Sequence, residues 1–277
     1  MKENFCEEVE DQPDLYDATV MTPKEINPVL TSLRSDKYSY PASVFPQVGE
    51  LLYSLVKCFH PKFVIETGTF LGYSAICIAQ AMEDNKKGHL HSFDLFLPNE
   101  QYISPVTGMT AANMLETVRA HSEKANVSHR ITFHKGDSSQ QIGSVFEGRE
   151  ECVDLAFIDG DHTIQGCLKD WHAVDPLMNV GGIVILHDVV PQNCGWEGPR
   201  HLLDQIAKER ADYYQAIELP TPDGYGVAVM QKIKGTKGVK KLKPTWRAVL
   251  ADKKNRFVVK KHKIMRSLKG KKPLPSQ

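Results

Sequence analysis

Long apolar runs are missing from this 277-residue chain. None reaches the ~20 residues that a membrane-spanning helix needs. The opening MKENFCEEVEDQPD is acidic and has no apolar core, so it does not read as a secretory signal. There is no C-x-x-C pair among the six cysteines Cys6, Cys58, Cys77, Cys152, Cys167 and Cys194, and Cys77 and Cys167 fall in predicted helices. A reduced, cytoplasmic setting is the expectation. No internal repeat is visible. Acids are nearly lacking from residues 232–277, which hold 17 Lys+Arg and only Asp252. Residues 1–231 hold 17 Lys+Arg against 33 Asp+Glu, so a net charge of zero hides an acidic body and a basic tail. That shift predicts a boundary near Lys232.

What is present is organised around FVIETGTFLGYSAICIA, Phe63 to Ala79. Phe63-Val64-Ile65 reads as a buried parallel strand ending at Glu66. A turn follows with Gly68 and Gly72, and a helix opens at Tyr73-Ser74. Strand, glycine turn and helix form the first unit of a nucleotide-binding α/β sheet. Backbone N–H groups at the helix start can hold an anionic group. The dinucleotide fingerprint GxGxxG is absent: counting from Gly68, its second and third glycines are Phe70 and Tyr73. A bulky Phe70 obstructs a pyrophosphate but can pack against a smaller ligand. A plain tight turn is the alternative.

Residues 1–40 are polar and irregular, and read as a partly ordered arm. Val48, Leu51, Leu52, Leu55 and Val56 predict a helix over 45–59, ended by Pro61. His89 to Leu95 is a second strand with Asp94 near its end, where an acid can accept both ribose hydroxyls of a nucleoside. Leu97 to Met109 reads as a long loop shaping substrate access. A helix over 110–124 and a third strand over 130–134 lead to Gly136-Asp137-Ser138, which suits a helix N-cap. Val153 to Ile158 is a fourth strand, ending in Asp159-Gly160-Asp161-His162. A helix over 163–178 precedes Gly181-Gly182, which opens a fifth strand, Ile183 to Leu186, ending in His187-Asp188. A helix over 196–210 and two strands, 213–219 and 225–232, complete the pattern. The close connection makes those last two antiparallel.

All parallel strands end on one side. The fourth and fifth tips therefore bring Asp159, Asp161, His162, His187 and Asp188 to one edge beside the glycine turn. Carboxylates gathered there repel one another, and a divalent cation relieves that repulsion. Mg²⁺ prefers carboxylate and water oxygen. Asp161 could also simply cap the following helix.

The E-x-G-x-x-x-G turn followed by GYS resembles motif I of class I S-adenosylmethionine (SAM) methyltransferases. AFIDGDHTIQGCLKDW…GGIVILHD resembles the metal-dependent O-methyltransferase branch that includes macrocin and aminocoumarin sugar O-methyltransferases. The resemblance spans about Gln47 to Lys232. It implies a Rossmann-like α/β fold: a mostly parallel seven-stranded sheet with one antiparallel strand and helices on both faces. It also implies a SAM site of Glu66, Gly68, Thr69, Phe70, Tyr73, Ser74, Asp94, Asp137, Ser138 and Asp159. Glu66 and Ser74 would hold the methionine end, Asp94 the ribose, and Asp137-Ser138 the adenine. Asp159, His187 and Asp188 would be metal ligands, with Asp161 as the base and His162 as a second candidate. His187 departs from the branch, which often has Asp there. Imidazole suits Mn and other transition metals better than Mg.

The expected reaction is methyl transfer from SAM to an oxygen of a small hydroxylated acceptor, a sugar, polyol or catechol-like molecule. A hydroxylase-like enzyme on the same scaffold and a non-catalytic SAM-binding scaffold protein are the alternatives. The expected organisation is an arm or lid over 1–44, a methyltransferase domain over 45–232 and a basic extension over 233–277. Trp246, Leu250, Phe257, Ile264 and Leu268 lie roughly on one helical face of that extension. It could contact an anionic membrane or nucleic-acid surface. A homo-oligomer is also compatible with the sequence.

Overall fold

The structure, a computed structural model, describes residues 26–36 and 43–250, apart from 247 and 249. Helix α1 (Pro28–Arg34) begins with proline in its first turn, and the Asn27 side chain accepts from Val29 N–H. Asn27 also donates to Gln80 and to the Ala125 carbonyl, which ties α1 to the body, and Leu30 and Leu33 are fully buried. Part of the segment expected to be an irregular arm is thus an ordered, core-packed helix.

Helix α2 (Pro46–Phe59) buries Val48, Leu52 and Val56, spaced four apart, and stops at His60 in a left-handed cap. Strand β1 (Phe63–Thr67) runs into the glycine turn, and α3 (Tyr73–Asp84) leaves it. The chain continues through β2 (His89–Asp94), β3 (Asn99–Ile103), β4 (Thr110–Ala111), α4 (Met114–Lys124), β5 (Ile131–Lys135) and α5 (Ser138–Val145). Next come β6 (Val153–Ile158), α6 (Ile164–Val174), β7 (Met178–His187), the single turn α7 (Pro191–Cys194), α8 (Gly198–Glu209), β8 (Tyr214–Leu219) and β9 (Val227–Lys232).

Seven strands form one sheet in the order β5-β2-β1-β6-β7-β9-β8, and β3-β4 form a separate antiparallel pair. The first five pair in parallel, while β9 runs antiparallel to both β7 and β8. Alternating residues of the central strands feed two core layers. Val64, Leu155, Phe157, Ile183 and Ile185 enter one; Ile65, Ala156, Ile158, Val184 and Leu186 enter the other. Each large aliphatic side chain so buried contributes about 1.5–3 kcal/mol relative to exposure. Among the described residues, no helix is long and apolar enough to cross a membrane.

Three sequence expectations change. The 97–109 loop contains β3, which pairs with β4 at Thr110–Ala111, where a helix was expected; α4 starts only at Met114, where Asn113 caps it by accepting from Glu116 N–H. The predicted helix over 163–178 ends at Val174. The fifth strand then begins at Met178, which pairs with Val153; the register shifts before Leu155 meets Ile183. Gly181-Gly182 lies inside this strand as an irregularity, not at its start.

The basic extension is not separate at its root. Lys232 is fully buried, with Nζ donating to the carbonyls of Asp175 and Met178 and to Thr236 Oγ1. Gln205 donates to the Lys243 carbonyl, and Leu242 is buried in the second core layer. Trp246 and Leu250 are exposed. The rest of the anticipated amphipathic stripe, Phe257, Ile264 and Leu268, lies outside the described residues.

Candidate active site

A crevice of about 720 Å³ opens at the carboxyl ends of β1, β2, β5, β6 and β7. Its floor is the glycine turn. Gly68 has φ +85°, and a Cβ there would lie 2.1 Å from the Asp159 carbonyl oxygen. Only glycine lets the β1 turn lie against the β6 tip. The two tips are also joined by Asp159 N–H donating to the Thr67 carbonyl at 2.9 Å.

Asp94 holds this turn in place. Its Oδ2 accepts from the backbone N–H of Thr69 (2.9 Å) and Phe70 (3.0 Å), and its Oδ1 from Phe96 N–H (2.7 Å). Phe70 and Phe96 both sit at positive φ, a strained conformation that the carboxylate helps to maintain. A carboxylate has about four lone-pair positions. With three engaged, about one remains for a hydroxyl in the crevice, fewer than the two ribose bonds expected from the sequence.

Glu66 does not reach the crevice. It is fully buried beneath the turn, accepting from Ser74 Oγ at 2.6 Å and Ser92 Oγ at 2.5 Å. Burial, opposed by those two hydrogen bonds and helped by Asp159 and Asp94, pushes its carboxyl up to about 7. Ser74 does line the crevice, and with its proton directed to Glu66 it turns lone pairs outward. Thr69, Phe70 and Tyr73 line the same wall.

Ser138 repeats this arrangement at the β5 tip. Its hydroxyl donates to Asp170, a buried α6 residue that sequence reading missed. Asp137 caps α5, accepting from Ser139 Oγ and Gln140 N–H. Burial, opposed by Ser138 and Thr67, raises Asp170 to about 6 from 3.8. The folded protein therefore binds this proton more tightly than the unfolded chain. The neutral carboxyl is fully accommodated below pH 4, and stability falls as pH rises from about 4 to 6. The shift corresponds to about 3 kcal/mol. Asp170→Asn is expected to raise unfolding free energy by up to about 3 kcal/mol at pH 8 and hardly at all at pH 4. Urea denaturation at both values checks this, and equal effects at the two would refute it.

The adjacent tips of β6 and β7 carry the charged cluster. His162 Nε2 lies 3.1 Å from Asp159 Oδ1 and 3.0 Å from Asp188 Oδ2. His187 Nδ1 lies 3.2 Å from Asp159 Oδ1 and 2.9 Å from Asp188 Oδ1. Burial alone would lower both imidazoles, but the two carboxylates raise each to about 10. Burial works to raise Asp159 and Asp188, yet the imidazoles hold both below the usual carboxylate range. Asp188 itself sits at φ +60°.

One ligand atom from each of Asp159, His162 and Asp188 lies within 4.8 Å of the other two, which suits one cation. His162, expected as a second candidate base, is the histidine of this three-residue group, and His187, expected as a ligand, is not in it. His187 Nε2 is buried without a partner on the far side of its ring. Asp161 sits exposed at the wall, its Oδ1 accepting from Thr163 N–H at 2.9 Å. The helix cap expected of it belongs instead to Thr163, whose Oγ1 accepts from Gly166 N–H at 3.0 Å. The acceptor end adds Asp223 and Tyr225 from the β8–β9 turn, which the sequence did not single out. Trp196 lies 5.9 Å from His162, ring centre to ring centre. The β3–β4 insert is fastened beneath: His121 bridges Ser104 Oγ (2.6 Å) and the Leu71 carbonyl (2.9 Å).

This sheet order, with its crevice at the parallel strand tips, is the class I methyltransferase fold. A family model described as a methyltransferase domain matches residues 65–189, which run from β1 to just past Asp188. The chain is 29% identical over 136 residues to tapetum-specific methyltransferase 1 of Arabidopsis thaliana, covering 47% of this chain and 48% of that one. It is 25% identical over 171 residues to caffeoyl-CoA O-methyltransferase 2 of Petunia hybrida, covering 60% and 62%. The alignments therefore span about half to three-fifths of those relatives. Among solved structures, an O-methyltransferase from Bacillus cereus in complex with SAH superposes with a TM-score of 0.55 at 24% identity, covering 75% of this chain and 89% of that one. That likeness concerns the fold.

Proposed function

We propose that this protein is a SAM-dependent O-methyltransferase whose transfer to a small hydroxylated acceptor depends on a divalent cation. The observation that carries the reading is one crevice with two furnished ends. The glycine turn, Asp94, Ser74 and Ser138 line one; Asp159, His162, His187 and Asp188 crowd the other. Turned-out hydroxyl lone pairs at Ser74 and Ser138 suit a methionine ammonium and an adenine amine. Asp137, capping α5 beside Ser138, shares the adenine end.

The donor set fits a cation. Asp159, His162 and Asp188 would hold it, with His187 braced behind them. Two carboxylates with imidazole suit Mn²⁺ or another transition metal as well as Mg²⁺. Such an ion would lower the pKa of an acceptor hydroxyl and fix its orientation. Because His162 is engaged by both carboxylates, Asp161 is the side chain left to take the acceptor's proton. Tyr225 supplies a flat wall for the acceptor, with Trp196 packed beyond His162, which favours a catechol-like ring over an open polyol. Bringing nucleophile and sulfonium together in this crevice supplies much of the rate gain.

The five described cysteines are free thiols, which supports a reducing, cytoplasmic setting. Incubation with methyl-labelled SAM and a panel of catechols, sugars and polyols tests the reading. Labelled methyl ether that disappears with chelator is the expected product. Hydroxylated product, or SAM binding with no transfer to any acceptor, would favour the hydroxylase-like or scaffold reading.

A further inference from the structure

At the opposite edge of the sheet from the crevice, a second cavity of about 330 Å³ lies between α6, the end of α8 and the segment following β9. Arg210 forms its inner wall and is only 8% exposed. Its Nη1 donates to the Glu209 carbonyl at 2.8 Å and its Nη2 to the Lys240 carbonyl, but its Nε has no partner. His172 lines the same cavity, and its Nε2 is likewise buried without a partner. A buried N–H left unpaired costs about 1–3 kcal/mol, and more on a charged group. Both atoms belong to residues that line this one cavity.

The charges around them are unevenly matched. Of the acids lining the cavity, Glu150 is paired with Lys237 at 2.6 Å. Asp175 Oδ1 accepts from Tyr214 Oη at 2.6 Å and Thr236 Oγ1 at 3.0 Å, with Lys232 Nζ 3.6 Å away. Glu151 lies against the Gly235 backbone. Lys240 and Lys241 have exposed side chains and no ion pair among the described residues. Burial, then Lys241, depresses the His172 imidazole, with Arg210 adding to the effect and the Leu242 backbone and Asp175 opposing it. An anion would relieve that crowding of cationic donors.

We propose that this cavity is a binding site for a small phosphate-type oxyanion, free or as a monoester. Arg210 and His172 form its base, and Lys240 and Lys241 close over it. A phosphate presents several acceptor oxygens, enough to satisfy a buried guanidinium N–H, an imidazole N–H and two ammonium groups together. The volume falls at the low end for ligand pockets and suits one compact group. Because the site joins the C-terminal segment to α6 and α8, occupancy would fasten that segment down. The assignment is independent of the methyl-transfer reading.

The test uses the full chain at constant ionic strength, with chloride as the balancing ion. Inorganic phosphate is titrated by calorimetry in one arm and phenyl phosphate in the other. Saturable binding with a rise in Tm is expected, and tighter binding of the ester would identify an esterified ligand. Lys240→Gln with Lys241→Gln should weaken binding at least tenfold while leaving the phosphate-free Tm unchanged. His172→Phe should also weaken binding when compared at a temperature where the variant is folded, which guards against a purely surface effect. Absence of saturable binding in either arm, or unaltered affinity in both variants, would overturn the proposal.

Discussion

Asp188→Asn is expected to lower methyl transfer by roughly 10²–10³-fold while leaving SAM affinity within a few-fold of the original. The substitution is chosen for the backbone: Asp188 sits at φ +60°, which asparagine adopts more readily than alanine. It removes one charge from a cluster in which His162 and His187 each contact that carboxylate at about 3 Å. If the cluster serves a cation, losing one anionic ligand removes several kcal/mol of charge stabilisation at the reacting oxygen. At 1.36 kcal/mol per decade, that gives the range stated. The glycine turn and Asp94 lie on other strand tips, so SAM binding should survive. Turnover by labelled transfer and affinity by calorimetry separate the two. Unchanged turnover in a folded variant would reduce the cluster to an ion-pair network that merely fastens β6 to β7.

The second large effect concerns Gly68→Ala. A methyl at this position would lie 2.1 Å from the Asp159 carbonyl oxygen and 2.6 Å from its carbon, with φ at +85°. Neither side can withdraw cheaply, because Gly68 N–H donates to the Phe93 carbonyl and Asp159 N–H to the Thr67 carbonyl, both at 2.9 Å. The variant is expected to lose about 4–5 kcal/mol of stability and its SAM binding with it. Gly108 is the internal control. It has φ +71°, but nothing lies within 4 Å of the place a methyl would occupy. Gly108→Ala should therefore lose only about 1 kcal/mol, the conformational part alone. Denaturant unfolding of both variants isolates the contact between the turn and the β6 tip. Equal losses would mean that the close approach contributes nothing.

How much of this was legible depended on whether a residue's role was local. Strands β1 and β6 were readable because short apolar runs end in acids and glycines, and Asp159, His162, His187 and Asp188 followed from strand-tip positions alone. The β3 segment NEQYI carries no apolar alternation, so its pairing with two residues of β4 rests on tertiary contacts that a sequence window does not contain. Gly181-Gly182 looked like a strand opener, yet the Met178–Val153 pairing starts β7 earlier and absorbs the glycines as a register shift. Lys232 read as the last residue of the final strand, at the boundary with a basic tail, whereas three oxygen acceptors, two of them more than 50 positions away, make it a buried anchor. Asp170 was hidden for a similar reason. Its partner Ser138 is 32 residues away, and nothing in the α6 sequence marks that carboxyl as facing a buried hydroxyl. Glu66 was legible as a motif but not in role: its position was right, and only the structure shows it acting through Ser74 from beneath the floor.

The central claim is that two neighbouring strand tips share one cation beside the cofactor. Anomalous diffraction from crystals soaked with Mn²⁺ and S-adenosylhomocysteine measures this directly. The account predicts one strong peak about 2.0–2.3 Å from carboxylate oxygens of both Asp159 and Asp188, next to cofactor density over the glycine turn. Cofactor density there with no manganese between those two carboxylates at saturating metal would contradict it.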